Sequence, residues 1–253
     1  MPVETTPHLA FPLYHGTSTL FLDGIVSFGL GGINPIQEYL VLEAATKVRE
    51  LAEKNLVDWL PYQNRKWSFT NMLEQSTGGW NWQHGDTYLS PAIDTAVRYA
   101  IDKRYGSELL TYTLDFIQEL IRREVSEVTT GLFQKYPDLF GWLDACPSPL
   151  LVVAKDTPID SLITEGGEAP EAQLNQLQAL LSDGSAMFQV DSQQANFRLT
   201  TPLPTAQLEF YLINIQEWRP HDSRFNLYRI DPVSKTRDEQ AGSGQAATRS
   251  EST

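Results

Sequence analysis

Apolar residues recur at three- and four-residue spacing from Pro35 to about Leu60, at Leu40, Ala44, Val48, Leu51 and Ala52, which predicts one amphipathic helix. Its polar side sets Glu43 four residues before Lys47 and Glu50 four before Lys54, an orientation that favours ion pairs along a helix. Upstream, Phe11 to Tyr14 reads as a short strand, and Leu20 to Phe28 as a short helix closed by Gly29 and followed by a Gly31-Gly32 loop. A Gly- and Trp-rich loop, Gly78-Gly79-Trp80-Asn81-Trp82, leads to a strand at Thr87 to Leu89. Ser90 is placed to cap the next helix, with Pro91 in its first turn, where a missing N–H is harmless.

Further on, Glu108 to Phe116 alternates or runs apolar as a strand does, and Ile117 to about Trp142 reads as helix. Leu150 to Ala154 is a buried-type strand, about Pro170 to Leu181 a helix, and Phe197 to Thr200 and Leu208 to Ile215 are two more strands. Strands and helices interleave without strict βαβ alternation, so the expected class is α+β. From Val233 onward the chain is small and polar, too poor in apolar groups to offset the entropy of ordering. The expected division is one folded domain over residues 1–232 and a disordered tail over 233–253.

Composition narrows the chemistry. Thirty-two acidic residues against nineteen basic ones give a formal charge of −13, which argues against tight, non-specific binding to a phosphate backbone. The single cysteine, Cys146, excludes an intramolecular disulfide and a multi-cysteine zinc site, and no metal site is expected. No charged-then-apolar leader opens the chain and no apolar run reaches bilayer length, so the expectation is a soluble, cytoplasmic protein.

Two short segments stand out: Leu13-Tyr14-His15-Gly16-Thr17, and Asp86-Thr87-Tyr88-Leu89-Ser90-Pro91 leading into Ala96-Val97-Arg98-Tyr99-Ala100. Ile25, Gly29 and Leu30 follow the first in a fixed register. A third feature is an acidic residue in an apolar strand, Glu209 in Leu208-Glu209-Phe210-Tyr211-Leu212-Ile213, since charges are rare in buried strands. Glu165, Glu168 and Glu217 are rival carboxylates.

Together these patches resemble the NAD-binding core of ADP-ribosyltransferases of the poly(ADP-ribose) polymerase and diphtheria-toxin type. The resemblance spans Phe11 to Trp218, with only the three patches diagnostic. It implies a split β-sandwich with flanking and inserted helices, and a pentosyl-transfer reaction that cuts NAD at the nicotinamide–ribose bond. His15 would donate to the adenosine ribose, the backbone of Gly16 would approach the carboxamide, and Thr17 would belong to the same cofactor-binding segment. Tyr88 and Tyr99 would sandwich the nicotinamide ring, which as a cation gains stacking and cation–π attraction. Glu209 would stabilise the oxocarbenium-like transition state. Gln207, two before Glu209, echoes a Q-x-E pattern of toxin-type transferases.

Two departures matter: Ala96 stands where polymerase-type enzymes carry a carboxamide-binding serine, and Thr95 where a lysine commonly precedes it. Both argue for mono-ADP-ribosylation over chain elongation. The implied partners are NAD and an acceptor, a protein first and nucleic acid second, with an effector or toxin role and hence an antitoxin or target protein in view. Three other readings stand beside this one. An RNA 2′-phosphotransferase shares the His-Gly-Thr opening but carries histidine where Tyr88 stands and needs arginines for an RNA phosphate. A non-catalytic NAD-binding or interaction module would keep the fold alone, and an unrelated α+β domain would match by accident.

Overall fold

The computed structural model of the chain describes residues 8–75, 85–217 and 224–232. The loop expected at Gly78 to Trp82 and the tail from Val233 lie outside these residues. In chain order the elements are β1 (Leu13–Ser18), α1 (Leu22–Phe28), α2 (Pro35–Glu38), α3 (Val41–Asn55), α4 (Leu60–Leu73), β2 (Tyr88–Leu89), α5 (Ile93–Asp102) and α6 (Glu108–Arg122). There follow α7 (Phe133–Lys135), α8 (Pro137–Asp144), β3 (Pro149–Ala154), β4 (Leu162–Thr164), α9 (Glu171–Ser182), α10 (Met187–Gln194), β5 (Phe197–Leu199), β6 (Leu208–Glu217) and β7 (Arg224–Ile230). This is an α+β arrangement with two antiparallel sheets, one in the order β1-β3-β6-β7 and the other β2-β5-β4. The sheets meet at one point, where the backbone N–H of Tyr14 donates to Ser90 at 2.8 Å and that of Ser90 to Tyr14 at 2.9 Å.

Hydrophobic burial divides into two main cores and a smaller one. Leu13, Leu150, Val152, Phe197 and Phe210 fill the core on one face of the four-stranded sheet. On its other face Leu151, Val153 and Ile213 pack under Ala96, Val97 and Ala100 of α5. A strand covered on both faces must be apolar at successive positions, which is why residues 150–154 read as an unbroken apolar run. The second main core belongs to the helices, with Val48, Phe69, Leu109, Phe116 and Leu120 at its centre. No described helix is long and apolar enough to cross a membrane.

Several expected elements differ. Residues 108–116, expected as a strand, form the first part of α6, started by Ser107, whose Oγ accepts from the Leu110 N–H at 3.1 Å. Over the whole of α6 the apolar Leu109, Leu110, Leu114, Phe116, Ile117 and Leu120 are buried while Glu108, Tyr112, Asp115, Gln118 and Arg122 stay at least part-exposed, a helical stripe that a window ending at Phe116 cuts short. Burial also tolerates Thr111 and Thr113, the latter donating its hydroxyl to the Leu109 carbonyl at 2.7 Å. The helix expected from Ile117 to Trp142 is interrupted: α6 ends at Arg122, Glu124 turns left-handed with φ 58°, and Pro137 opens α8. The single helix expected over Pro35 to Leu60 is divided at Leu40, which adopts φ 52°. That conformation costs a non-glycine residue roughly 1–2 kcal/mol and ends α2 after one turn. Helix α4 escapes the pattern because its apolar residues face different ways, Phe69 buried and Trp67 63% exposed.

Surface pairing also differs from the simple i,i+4 expectation. Lys47 pairs with Glu50 at 3.1 Å, and Glu43 reaches Lys135 instead. Ser90 does not cap α5, which starts at Ile93 after Ala92; its Oγ accepts from the Ala92 N–H at 3.2 Å and donates to the Ala195 carbonyl at 3.4 Å. The hydroxyl therefore ties the end of β2 to the approach to β5.

An ion cluster links the end of α6 to the end of α3. Glu119 of α6, 7% exposed, accepts two bonds from Arg122 at 2.6 and 2.7 Å and one from Arg123 at 2.8 Å. Arg123 also donates to the Asn55 carbonyl at the end of α3 and to Asp58, both at 2.6 Å. The Arg122 bonds, and Arg123 after them, hold the Glu119 carboxyl far below the ordinary range, at about 2. A depressed acid stabilises the fold above its unfolded pKa and loses that contribution as pH falls towards its folded one. Glu119→Gln is therefore expected to cost about 1–3 kcal/mol at pH 7. In urea titrations the wild-type midpoint should fall more steeply than the variant's between pH 5 and pH 2.5, and parallel curves would refute the assignment.

Candidate active site

A cavity of about 380 Å³ opens beside the junction of the two sheets. Strand β1 contributes Tyr14, His15, Gly16 and Thr17, the segment around β2 contributes Asp86, Thr87, Tyr88 and Ser90, and α5 contributes Thr95, Ala96 and Tyr99. Ile25, Gly29, Leu30 and Gly31 bound it from α1 and the following loop, Ile36 and Tyr39 from α2 and its end, and Ser107 and Glu108 from the start of α6. Glu165 and Asn196 close the side formed by the second sheet. The two motifs, remote in sequence, thus line one cavity.

His15 and Tyr88 are joined directly: His15 Nδ1 lies 2.8 Å from the Tyr88 carbonyl oxygen. A carbonyl only accepts, so Nδ1 carries the proton. Burial is the larger influence on the ring and lowers its pKa below the ordinary histidine value, against the opposing effect of the carbonyl. The ring is therefore neutral at pH 7 and Nε2 is an acceptor. A ligand hydroxyl would donate to His15, reversing the direction expected from sequence.

Gly16 owes its identity to packing. A Cβ there would lie 1.8 Å from the Ala96 carbonyl oxygen and 3.0 Å from the Ala100 nitrogen, so α5 rests directly on the β1 backbone. Tyr99 is carried by that same helix, and the close approach fixes its distance from His15. Its side chain is 38% exposed, on the cavity, while its hydroxyl is desolvated beside the Glu108 backbone N–H. Desolvation, then the Glu108 charge, pushes that hydroxyl up to about 12. Thr17 is buried, its Oγ1 under the Gly106 backbone, which adopts φ 82° and leaves no room for a side chain.

The carboxylates divide differently from the expectation. Glu209 does not line the cavity. It lies on β6, 18% exposed, with Lys155 at 2.8 Å, Arg229 at 3.3 Å and the Tyr211 hydroxyl donating to it at 2.9 Å. The bond from Lys155 foremost, then that from Tyr211, lowers its pKa. Glu168 and Glu217 are likewise absent from the lining, whereas Glu165 is present. Glu165 follows the last residue of β4 and Asn196 precedes the first of β5, two positions that the Thr164–Phe197 register sets side by side. Asn196 Nδ2 donates to Glu165 Oε2 at 3.4 Å. Asn196 and Glu108 are not expected from sequence, because only pairing between distant strands and helices brings them here, whereas Asp86 arrives with the segment that carries Tyr88.

Comparisons with protein-family models, with curated proteins and with solved structures returned no match for this chain.

Two outcomes follow from this geometry. Gly16→Ala should destabilise by about 1–3 kcal/mol or more through overpacking against α5, read as a lower urea midpoint; an unchanged midpoint would mean that α5 yields freely. A buried neutral histidine contributes nothing to the pH dependence above its unfolded pKa. Below it the unfolded chain takes up a proton that the folded chain refuses. Stability of the wild type should therefore fall between pH 7 and pH 5.5 by more than that of His15→Gln, and equal slopes would show that His15 is solvated.

Proposed function

We propose that this chain is a mono-ADP-ribosyltransferase that binds NAD in the cavity at the sheet junction, in an ADP-ribosyltransferase-like split β-sandwich. The observation that carries the reading is the 2.8 Å bond from His15 to the Tyr88 carbonyl, which joins the two sequence patches resembling that family. Tyr99 and Tyr88 line the same cavity, and two aromatic rings there would suit a flat pyridinium ring. Thr95 and Ala96 also line the cavity, and neither offers the lysine or serine associated with chain elongation.

In this reading Glu165, not Glu209, supplies the catalytic carboxylate. The bond between ribose C1′ and the nicotinamide nitrogen breaks, its electron pair leaving with nicotinamide, and Glu165 stabilises the cationic ribosyl centre. The acceptor nucleophile, read as a protein side chain, then bonds to C1′ and loses a proton. An RNA 2′-phosphotransferase is less well supported, because that family carries a histidine where Tyr88 stands on the cavity. A second reading, a protein that binds NAD without cutting it, draws support from the position of Glu209 on Lys155 and Arg229.

Nicotinamide release separates these readings. Glu165→Gln should slow it by about 10²–10³ while leaving NAD affinity within a few-fold, whereas Glu209→Gln should release at the wild-type rate. The opposite pattern would restore the role to Glu209. Binding without release by the wild type would favour the non-catalytic reading, and no NAD binding would end both.

A further inference from the structure

The cavity is lined by three carboxylates, those of Asp86, Glu108 and Glu165, and among the described residues by no cation. Two cations stand immediately behind this wall, Lys103 on Glu108 at 2.9 Å and Arg198 on Asp86 at 2.7 Å. They are held differently. Glu108 also accepts from the Tyr112 hydroxyl at 2.6 Å and Lys103 lies 5.3 Å from the Tyr112 ring centroid, so that ammonium is fixed in a closed cluster. Arg198 engages Asp86 through Nη1 on a part-exposed side chain, and a guanidinium has five donors.

Position distinguishes Arg198 as well. It lies opposite Tyr88 in the β2–β5 register. Asp86 stands between Tyr88 and Gly85, whose backbone crowds Asn34 so closely that a Cβ would fall 2.2 Å from its Nδ2. A dinucleotide reaching from the tyrosines towards the Gly31–Asn34 loop has to carry its diphosphate past this carboxylate. Like charges there repel unless a cation intervenes.

We propose that Arg198 is the diphosphate-binding residue of this cavity and that Asp86 is its resting partner. The inference rests on the NAD reading above and adds which group meets the anionic centre of the ligand. A planar fork suits two phosphate oxygens, so Arg198 can keep one nitrogen on Asp86 while others turn to the diphosphate. Asp86 then sets the affinity by competing for the guanidinium.

The test titrates the full chain with carba-NAD, which keeps the diphosphate but cannot be cleaved at the nicotinamide bond, and with nicotinamide riboside, which lacks phosphate. Arg198→Gln should weaken carba-NAD about tenfold or more and change the riboside less than about twofold. Asp86→Asn should tighten carba-NAD a few-fold, an opposite sign that misfolding cannot produce. Raising salt should weaken carba-NAD binding to the wild type more than to Arg198→Gln. Equal loss of both ligands in Arg198→Gln, or carba-NAD affinity unchanged in both variants, would overturn the role of Arg198 while leaving NAD binding intact. Failure of the wild type to bind either ligand would overturn the functional reading and this inference with it.

Discussion

Between residues 14–15 and 88–90, two backbone hydrogen bonds and one from an imidazole join two sheets whose strands interleave along the chain. Every feature of the cavity depends on that seam. It fixes His15 beside Tyr88, it aligns β2 so that β5 and β4 follow, and through that ladder it brings Glu165 to the same opening as Gly16. Burial keeps that imidazole neutral, so protonating it in acid works against the folded state. Because α5 rests on the Gly16 backbone with no side chain between, the position of Tyr99 follows from the same few contacts.

Charge is distributed with the same economy. Acidic residues outnumber basic ones overall, and the cavity repeats that bias, yet two of its three carboxylates have a cation directly behind them. The cavity lining thereby stays acidic while two neutralising groups stand directly behind it. Glu209 shows the alternative use of an acid in a strand: with Lys155 and Arg229 around it, its charge is satisfied within the sheet.

Local signals were readable and non-local ones were not. Leu150 to Ala154 announces a doubly covered strand by its unbroken apolar run, and Gly29, with φ 83°, ends α1 where a glycine was read as the stop. The α+β class and the segments carrying His15, Tyr88 and Tyr99 were legible for the same reason. Helix α6 reads as a strand over residues 108–116 because that window stops short of Ile117 and Leu120, which complete its apolar face, and includes the buried Thr111 and Thr113. Glu165 could be named only as one rival among several, since its place beside Asn196 comes from the β4–β5 pairing. An acid in an apolar strand is a sound signal of something unusual, but at Glu209 the unusual thing is a pair of cationic neighbours on adjoining chain, which no local pattern reveals.

The cavity also lies where two hydrophobic cores meet, with β1 and β2 on the sheet side and α2 and the start of α6 on the helical side. Each core can in principle open by its own local unfolding, at a free energy below that of the whole chain. A ligand that touches both sides adds RT ln(1 + [L]/Kd) to any opening that destroys the site, whichever core begins it. Amides deep in α3, a helix that does not reach the cavity, would then exchange more slowly with solvent when the site is filled. Occupancy makes two partly independent folding units behave as one.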